Sequence, residues 1–301
     1  MDSIMSSNRL EFSGLRSFLF TPGNHPRKLA KVFHSGADAV ILDLEDAVAI
    51  AEKPATRAVV VTALKEPRNC QGYVRINSLG TEFWEADIPA VVGSWLDGIV
   101  LPKVESAADL VLVDKAIAAA EHSAGLAPGS IDLMPIVETA KGIVNVDEIA
   151  GAVPRVRRLS FGGGDYTNDL DFIWTPGEEV LAYARARLVH ASRVAEIEPP
   201  IDTVVIHIRD HARFRASAER GRMFGFTGKL CIHPDQVPVT NEVFTPGEEE
   251  VNHARAVIAA FEKAEAEGSA SIQLDGYFID YPIVYKAQRI LALMERLQAK
   301  A

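Results

Sequence analysis

Met134-Pro135-Ile136-Val137-Glu138-Thr139 and, further along the chain, Phe161-Gly162-Gly163-Gly164-Asp165 each read as a short apolar strand that runs out into a carboxylate. Short apolar runs bounded by turn residues are the pattern of strands covered on both faces. Two acids at the ends of two such strands can hold one divalent cation. Substrate oxygens and water then complete the shell, as Mg²⁺ sites commonly arrange it. The competing reading is a pair of unrelated strand-end acids that make salt bridges or cap helices.

Working outward, the same unit recurs along the chain. Strand-like runs cover residues 16–20, 39–42, 73–77 and 98–103, then the two stretches above, then 203–208 and 229–234. Helical spacing between them predicts helices over 28–33, 53–64, 84–92, 107–122, 178–197 and 211–221. Parallel strands need helical crossovers, so eight such units predict a closed parallel (β/α)8 TIM barrel over residues 14–240. A doubly wound open sheet is the alternative, but it would seldom repeat the unit eight times. Residues 241–301 exceed what the barrel needs and read as a C-terminal helical extension. Thr245-Pro246-Gly247 opens a helix over 248–266 with an acidic first turn, which suits the helix dipole. Asp275-Gly276 predicts a turn, and Pro282 begins a final helix to about 298. This extension is expected to pack on the barrel, form a lid or reach a neighbouring subunit.

The 301-residue chain is 48% hydrophobic and 24% charged, ample material for a globular core. Its net charge of −10, from 31 basic and 41 acidic residues, argues against a nucleic-acid or anionic-membrane surface. Cys70 and Cys231 match no metal or redox spacing and are expected to be plain thiols in a reducing cytoplasm. Residues 1–13 lack the apolar run of a signal peptide, and no stretch is long enough to span a bilayer.

In a β/α barrel the active site lies at the C-terminal ends of the strands. Collected there are Asp43, Glu45, Asp46, Arg75, Lys103, Glu138, Asp165 and His233. Any one alone is bland, and a lone strand arginine is more often a salt-bridge partner. Acids concentrated at one mouth would repel each other, so a metal and basic residues are physically expected among them. The run Gly162-Gly163-Gly164 predicts close backbone approach to a ligand with amide donors, or else a tight turn. Arg16, Arg27, Lys28 and Lys31 form a modest basic set that could meet an anionic ligand, or a solvated helix face. His233 is either a ligand or base, or a structural histidine. No Ser/His/Asp triad, zinc signature or dinucleotide fingerprint is present.

Seven segments stand out together: Arg16-Ser17-Phe18-Leu19-Phe20-Thr21-Pro22-Gly23, Asp43-Leu44-Glu45-Asp46-Ala47-Val48, Val74-Arg75-Ile76-Asn77, Leu101-Pro102-Lys103-Val104-Glu105, Pro135 to Thr139, Cys231-Ile232-His233-Pro234 and Ile279-Asp280-Tyr281-Pro282. In this order, over residues 14–298, they resemble the HpcH/HpaI aldolase/citrate lyase family, in particular its citrate lyase beta-subunit-like branch and the malyl-CoA and citramalyl-CoA lyases. The resemblance implies a Mg²⁺-dependent barrel enzyme (Mn²⁺ being the alternative metal) that makes or breaks a carbon–carbon bond beside an acyl-CoA thioester. It implies metal ligands at Glu138 and Asp165 and catalytic roles for Arg75 and for Asp280, the latter entering a neighbouring subunit's site in a homotrimer or hexamer. Arg16, Asp43, Glu45, Gly163 and Gly164 are the expected substrate contacts, and Arg27 and Lys28 candidate CoA contacts. The sequence departs from the usual family pattern at 162–169 and at Tyr277-Phe278 before Asp280, which leaves the acyl substrate open. Rival activities are a malyl-CoA-type thioesterase, a CoA-free pyruvate aldolase, and a citrate lyase beta-type subunit acting on an acyl-carrier thioester.

Overall fold

The computed structural model of the protein describes residues 13–300. Eight parallel strands pair in chain order and close into a barrel. They are β1 (Ser17–Pro22), β2 (Ala39–Asp43), β3 (Gln71–Arg75), β4 (Gly98–Leu101), β5 (Asp132–Val137), β6 (Ser160–Phe161), β7 (Ile201–Asp202) and β8 (Gly228–Cys231). Closure comes from β8 pairing with β1, where Phe18 meets Leu230. Helices connect successive strands, among them Lys53–Leu64, whose bounds match the spacing, and Ala107–Ser123, which Ser106 and Asp109 start with a reciprocal capping box.

Alternate residues of a strand face the same side. Ala39 and Ile41, Tyr73, Val100, Met134 and Ile136, and Leu230 accordingly meet in one buried cluster that fills the barrel. Phe18 packs edge-on against Tyr73 with ring centroids 5.6 Å apart. One period of two above this filling stand Asp43 on β2, Arg75 on β3 and Glu138 just past β5. The polar mouth is thus the top layer of the same interior columns.

Three expectations need correction. The run 203–208 is not the seventh strand: β7 is Ile201–Asp202, and the β-branched residues beyond it form the rim. Their backbone is held from the side instead, with the Gln236 amide donating to the Val205 carbonyl. The sixth strand ends at Phe161 and does not reach Asp165, which falls in the first turn of helix Gly163–Asp169. The helix expected over 178–197 begins late. Glu178 is left-handed at φ 56° and leads a 3-10 turn, Glu179–Leu181, before the α-helix Ala182–Val194.

The chain divides into two compact units, the first holding Leu15–Glu242 and the second holding Ser13 and Gly14 with the residues from Val243 onward. In the second, helix Glu248–Ala266 and helix Tyr281–Lys300 flank a hairpin, β9 (Ile272–Leu274) and β10 (Tyr277–Ile279). Asp275 and Gly276 both take positive φ, 50° and 83°, as a tight two-residue hairpin turn requires. Ala254, Val257, Phe261, Ile279, Val284 and Ala287 form this unit's own core. Cys70 and Cys231 are free thiols. Among the described residues no helix is long and apolar enough to cross a membrane.

Candidate active site

Asp43 and Arg75 are register partners on β2 and β3, so their side chains leave the barrel wall side by side. Arg75 Nε and Nη2 donate to the two Asp43 oxygens at 2.7 and 2.6 Å, a bidentate pair. Arg75 Nη1 lies 3.0 Å from Glu45 Oε2, and the guanidinium sits 4.9 Å over the Phe20 ring. Burial works against the charge, but Asp43 and then Glu45 and Glu138 outweigh it and hold Arg75 above its ordinary range.

Glu45 bridges onward. Its Oε1 accepts from Lys103 Nζ at 2.8 Å, and burial raises its carboxyl despite Arg75 and Lys103. Lys103 is left-handed, φ 53°, a conformation uncommon for a residue with a Cβ. That twist lets its backbone N–H donate to Glu138 Oε1 at 2.8 Å while its ammonium turns to Glu45 and to Asp46, 3.3 Å away.

Glu138 is only 4% exposed. Burial, then the charge of Asp165, push its carboxyl up to about 8 against the opposing Lys103 N–H and Arg75. A buried acid raised by a second acid is a site short of positive charge. Two hard carboxylate oxygen donors suit Mg²⁺, so the residues present fit that ion. Among the described residues no three acidic, histidine or cysteine side chains form a metal-ligating set, which leaves further ligands to water and substrate.

The glycine run has a specific cause. A Cβ on Gly162 would lie 2.1 Å from Glu138 Oε2, so the close approach it permits is to Glu138 itself. The Gly163 N–H donates to Thr203 Oγ1 at 2.7 Å, and a Cβ there would meet Thr203 at 2.9 Å. The expectation that Gly163 offers its amide to substrate is therefore corrected: that donor is already used. Gly164, whose Cβ would have room, stays a candidate contact.

Asp43 and Glu45 have a further role. Asp43 accepts from Arg75 and from the Glu45 and Ala47 N–H groups, and both acids are buried against Arg75, so they orient it. Arg16 is corrected outright. It precedes β1 at the opposite end of the barrel and forks onto Asp38 with two 2.9 Å bonds. Arg27 and Lys28 are exposed on helix Pro26–Val32, which follows the mouth end of β1. His233 is partly exposed and lies 3.5 Å from Asp235. Asp280 belongs to the second unit, where its carbonyl accepts from the Ile283 and Val284 N–H groups at the start of the final helix.

Sequence reading passed over the layer beneath this cluster. Lys53, Asn77 and Asp87 are all buried below the 43–46 loop. A lysine, an asparagine and an aspartate scattered over helices and loops carry no pattern of their own. Only a charged residue on the apolar face of helix Lys53–Leu64 could have signalled them.

The chain matches the family model described as HpcH/HpaI aldolase/citrate lyase over residues 16–234. It is 38% identical to the citrate lyase subunit beta of Leuconostoc mesenteroides subsp. cremoris, covering 96% of this chain and 95% of that protein. It is 35% identical to the L-malyl-CoA/beta-methylmalyl-CoA lyase of Cereibacter sphaeroides (strain ATCC 17025 / ATH 2.4.3), covering 94% and 96%. Among solved structures it resembles CitE of Mycobacterium tuberculosis in complex with magnesium, acetoacetate and coenzyme A. There the TM-score is 0.77 and the identity 29%, over 95% of this chain and all of that one.

Proposed function

The chain belongs to the HpcH/HpaI aldolase/citrate lyase family, and from that premise we propose that its barrel mouth cleaves, or in reverse forms, a 3-hydroxyacyl-CoA such as malyl-CoA or citramalyl-CoA. The products are acetyl-CoA and a 2-oxoacid. It is a Mg²⁺-dependent carbon–carbon lyase acting on a thioester, and it works in the cytoplasm, where its two free thiols are stable. The observation that carries this reading is Glu138, buried beside Asp165 and raised to about 8, next to an arginine already aimed by two acids.

Bound between Glu138 and Asp165, Mg²⁺ would supply a Lewis acid and a template for the hydroxyl and carboxylate of the malyl portion. Lys103 holds Glu138 by its backbone N–H, so the acid is aimed before any ligand arrives. Arg75 places a fixed fork of charge where the hydroxyl oxygen becomes a carbonyl. Its own orientation is set by Asp43 and Glu45, so little reorganisation accompanies the reaction. The hydroxyl gives its proton to water, its oxygen becomes the 2-oxoacid carbonyl, and the carbon–carbon bond breaks to leave a thioester enolate. Asp280, reaching in from a neighbouring subunit of a homotrimer or hexamer, returns a proton to it, and in condensation removes one.

A product assay tests this. Purified protein with malyl-CoA or citramalyl-CoA should release acetyl-CoA with glyoxylate or pyruvate in the presence of Mg²⁺ and none with chelator. Free CoA without a 2-oxoacid would instead identify a thioesterase. The 38% identity to a citrate lyase subunit beta favours one second reading, a thioester on an acyl-carrier protein. Turnover confined to carrier-bound substrate would establish it. Asp280→Ala is expected to lower kcat by about 100-fold or more, and full activity in that variant would remove Asp280 from the mechanism.

A further inference from the structure

Lys53 opens helix Lys53–Leu64 but its side chain is buried, only 7% exposed, beneath the loop that carries Asp43 and Glu45. Its ammonium donates to the Leu44 carbonyl at 3.0 Å, the Glu45 carbonyl at 2.7 Å and Asn77 Oδ1 at 2.6 Å. An ammonium has three protons, and each has a partner. Asn77 stands two residues after Arg75 and is itself fixed: its N–H and side-chain amide both donate to Asp87 Oδ2, at 2.9 and 2.7 Å. Arg57 completes the chain on Asp87 Oδ1 at 2.7 Å.

The two segments joined by this ammonium are the β2 loop, which presents Asp43 and Glu45, and the end of β3, which presents Arg75. Their side chains meet above as the arginine and its two acids. A buried lysine that only filled space would be costly, since its charge leaves water. Here it replaces water with two backbone carbonyls of the very loop whose shape sets the Arg75 partners. We propose that Lys53 is a positioning residue for the lyase reaction, acting through Arg75 by locking the 43–46 loop to the strand end at Asn77.

This inference rests on the function proposed above, so its test carries a readout apart from turnover. Lys53→Met keeps the length and the apolar stem while removing all three donors. In arginine-¹⁵N-labelled protein the Arg75 Nε–H, bonded to Asp43, should exchange slowly in the native enzyme and at least about tenfold faster in Lys53→Met, as the loop loosens. With malyl-CoA or citramalyl-CoA, kcat should fall on the order of 100-fold, because small misplacements of a charge-stabilising group are costly. Mg²⁺ affinity should stay unchanged, since Glu138 follows β5 and Asp165 lies in helix Gly163–Asp169, neither of them bonded to Lys53. In an Arg75→Lys background the same change should cost nothing further, the non-additivity expected of residues acting as one. A merely structural lysine would lower the melting temperature and leave exchange at Arg75 and the double-mutant cycle additive.

Asn77→Ala, which leaves two of the three ammonium bonds, carries the test if Lys53→Met does not fold, with an expected kcat loss of about tenfold. Unchanged Arg75 exchange in folded variants, or equal cost in both backgrounds, overturns the proposal. If the native protein turns over neither thioester, the functional reading fails, and the exchange rates alone still decide whether Lys53 positions Arg75.

Discussion

Glu138 and Asp202 are both buried acids at the mouth ends of barrel strands, yet they are pushed in opposite directions. Asp202, last residue of β7, is fully buried, which alone would raise its carboxyl. Lys229 and Arg185 outweigh that burial and hold it below the usual carboxylate range. Lys229 Nζ lies 2.8 Å from Oδ2, and Arg185 forks onto both oxygens at 2.9 and 3.0 Å. Arg185 and Arg220 in turn neutralise Glu178. Glu138 has one backbone N–H and a neighbouring acid, and is raised to about 8. The difference is which side of the barrel wall each acid faces. Outward-facing Asp202 is satisfied by Lys229, its register partner on β8, and by Arg185 on helix Ala182–Val194. Inward-facing Glu138 opens on the mouth, where the balancing cation has to come from solution. A closed ion network is architecture; an open one is a binding site.

Removing each acid should pull this contrast apart. Glu138→Gln is expected to lower metal-dependent kcat by about 1000-fold or more, the loss of several kcal/mol of transition-state stabilisation. The protein should remain folded, which circular dichroism and gel filtration check. Asp202→Asn should do the reverse. It strands Lys229 as a buried charge without its acid and leaves Arg185 with Glu178 alone, at a cost of roughly 3–5 kcal/mol in unfolding free energy, read by urea denaturation, while kcat per folded molecule changes little.

A smaller change sharpens the same point. Gly162→Ala puts a methyl against Glu138 Oε2 and should weaken Mg²⁺ binding about 10- to 100-fold, measured by calorimetry. Unchanged affinity would mean that Glu138 can swing away and still bind. The smallest effect is in pH. The folded Glu138 carboxyl, at about 8, lies above its ordinary range near 4.5. Metal-free protein therefore holds a proton that the unfolded chain gives up, and this favours the fold less and less as pH rises from about 4.5 to 8. Its melting temperature should drift down across that window, and Mg²⁺ or Glu138→Gln should flatten the slope. A flat profile in the metal-free protein would place Glu138 in ordinary solvent.

Much of the fold was legible because burial on both faces writes itself as apolar runs. Ala39–Asp43 and Gly98–Leu101 stand where their runs do, and helix Lys53–Leu64 matches residue for residue. The last three strands were read less well. Thr203-Val204-Val205-Ile206 has every β-forming trait, yet the strand ends before it, because sheet propensity reports packing on a pleated surface more than any local backbone preference. At the site, the acids and Arg75 were visible as polar residues ending apolar columns. The displacement of Arg16 was not, since a basic residue beside a strand looks the same at either end. Arg16 immediately precedes β1 and meets Asp38, which immediately precedes β2, and only the parallel pairing of those strands brings the two together.

The sequence by itself determined the barrel, the family and the identity of the mouth acids, because period, strand count and residue type are one-dimensional properties of the chain. Tertiary structure alone decided which acid is paired and which is open. That outcome depends on register and on the side of the wall each residue faces, as when Asp43 is set level with Arg75 and Gly162 is brought against Glu138. A shift of one residue along a strand reverses the side, and only the closed barrel fixes that shift.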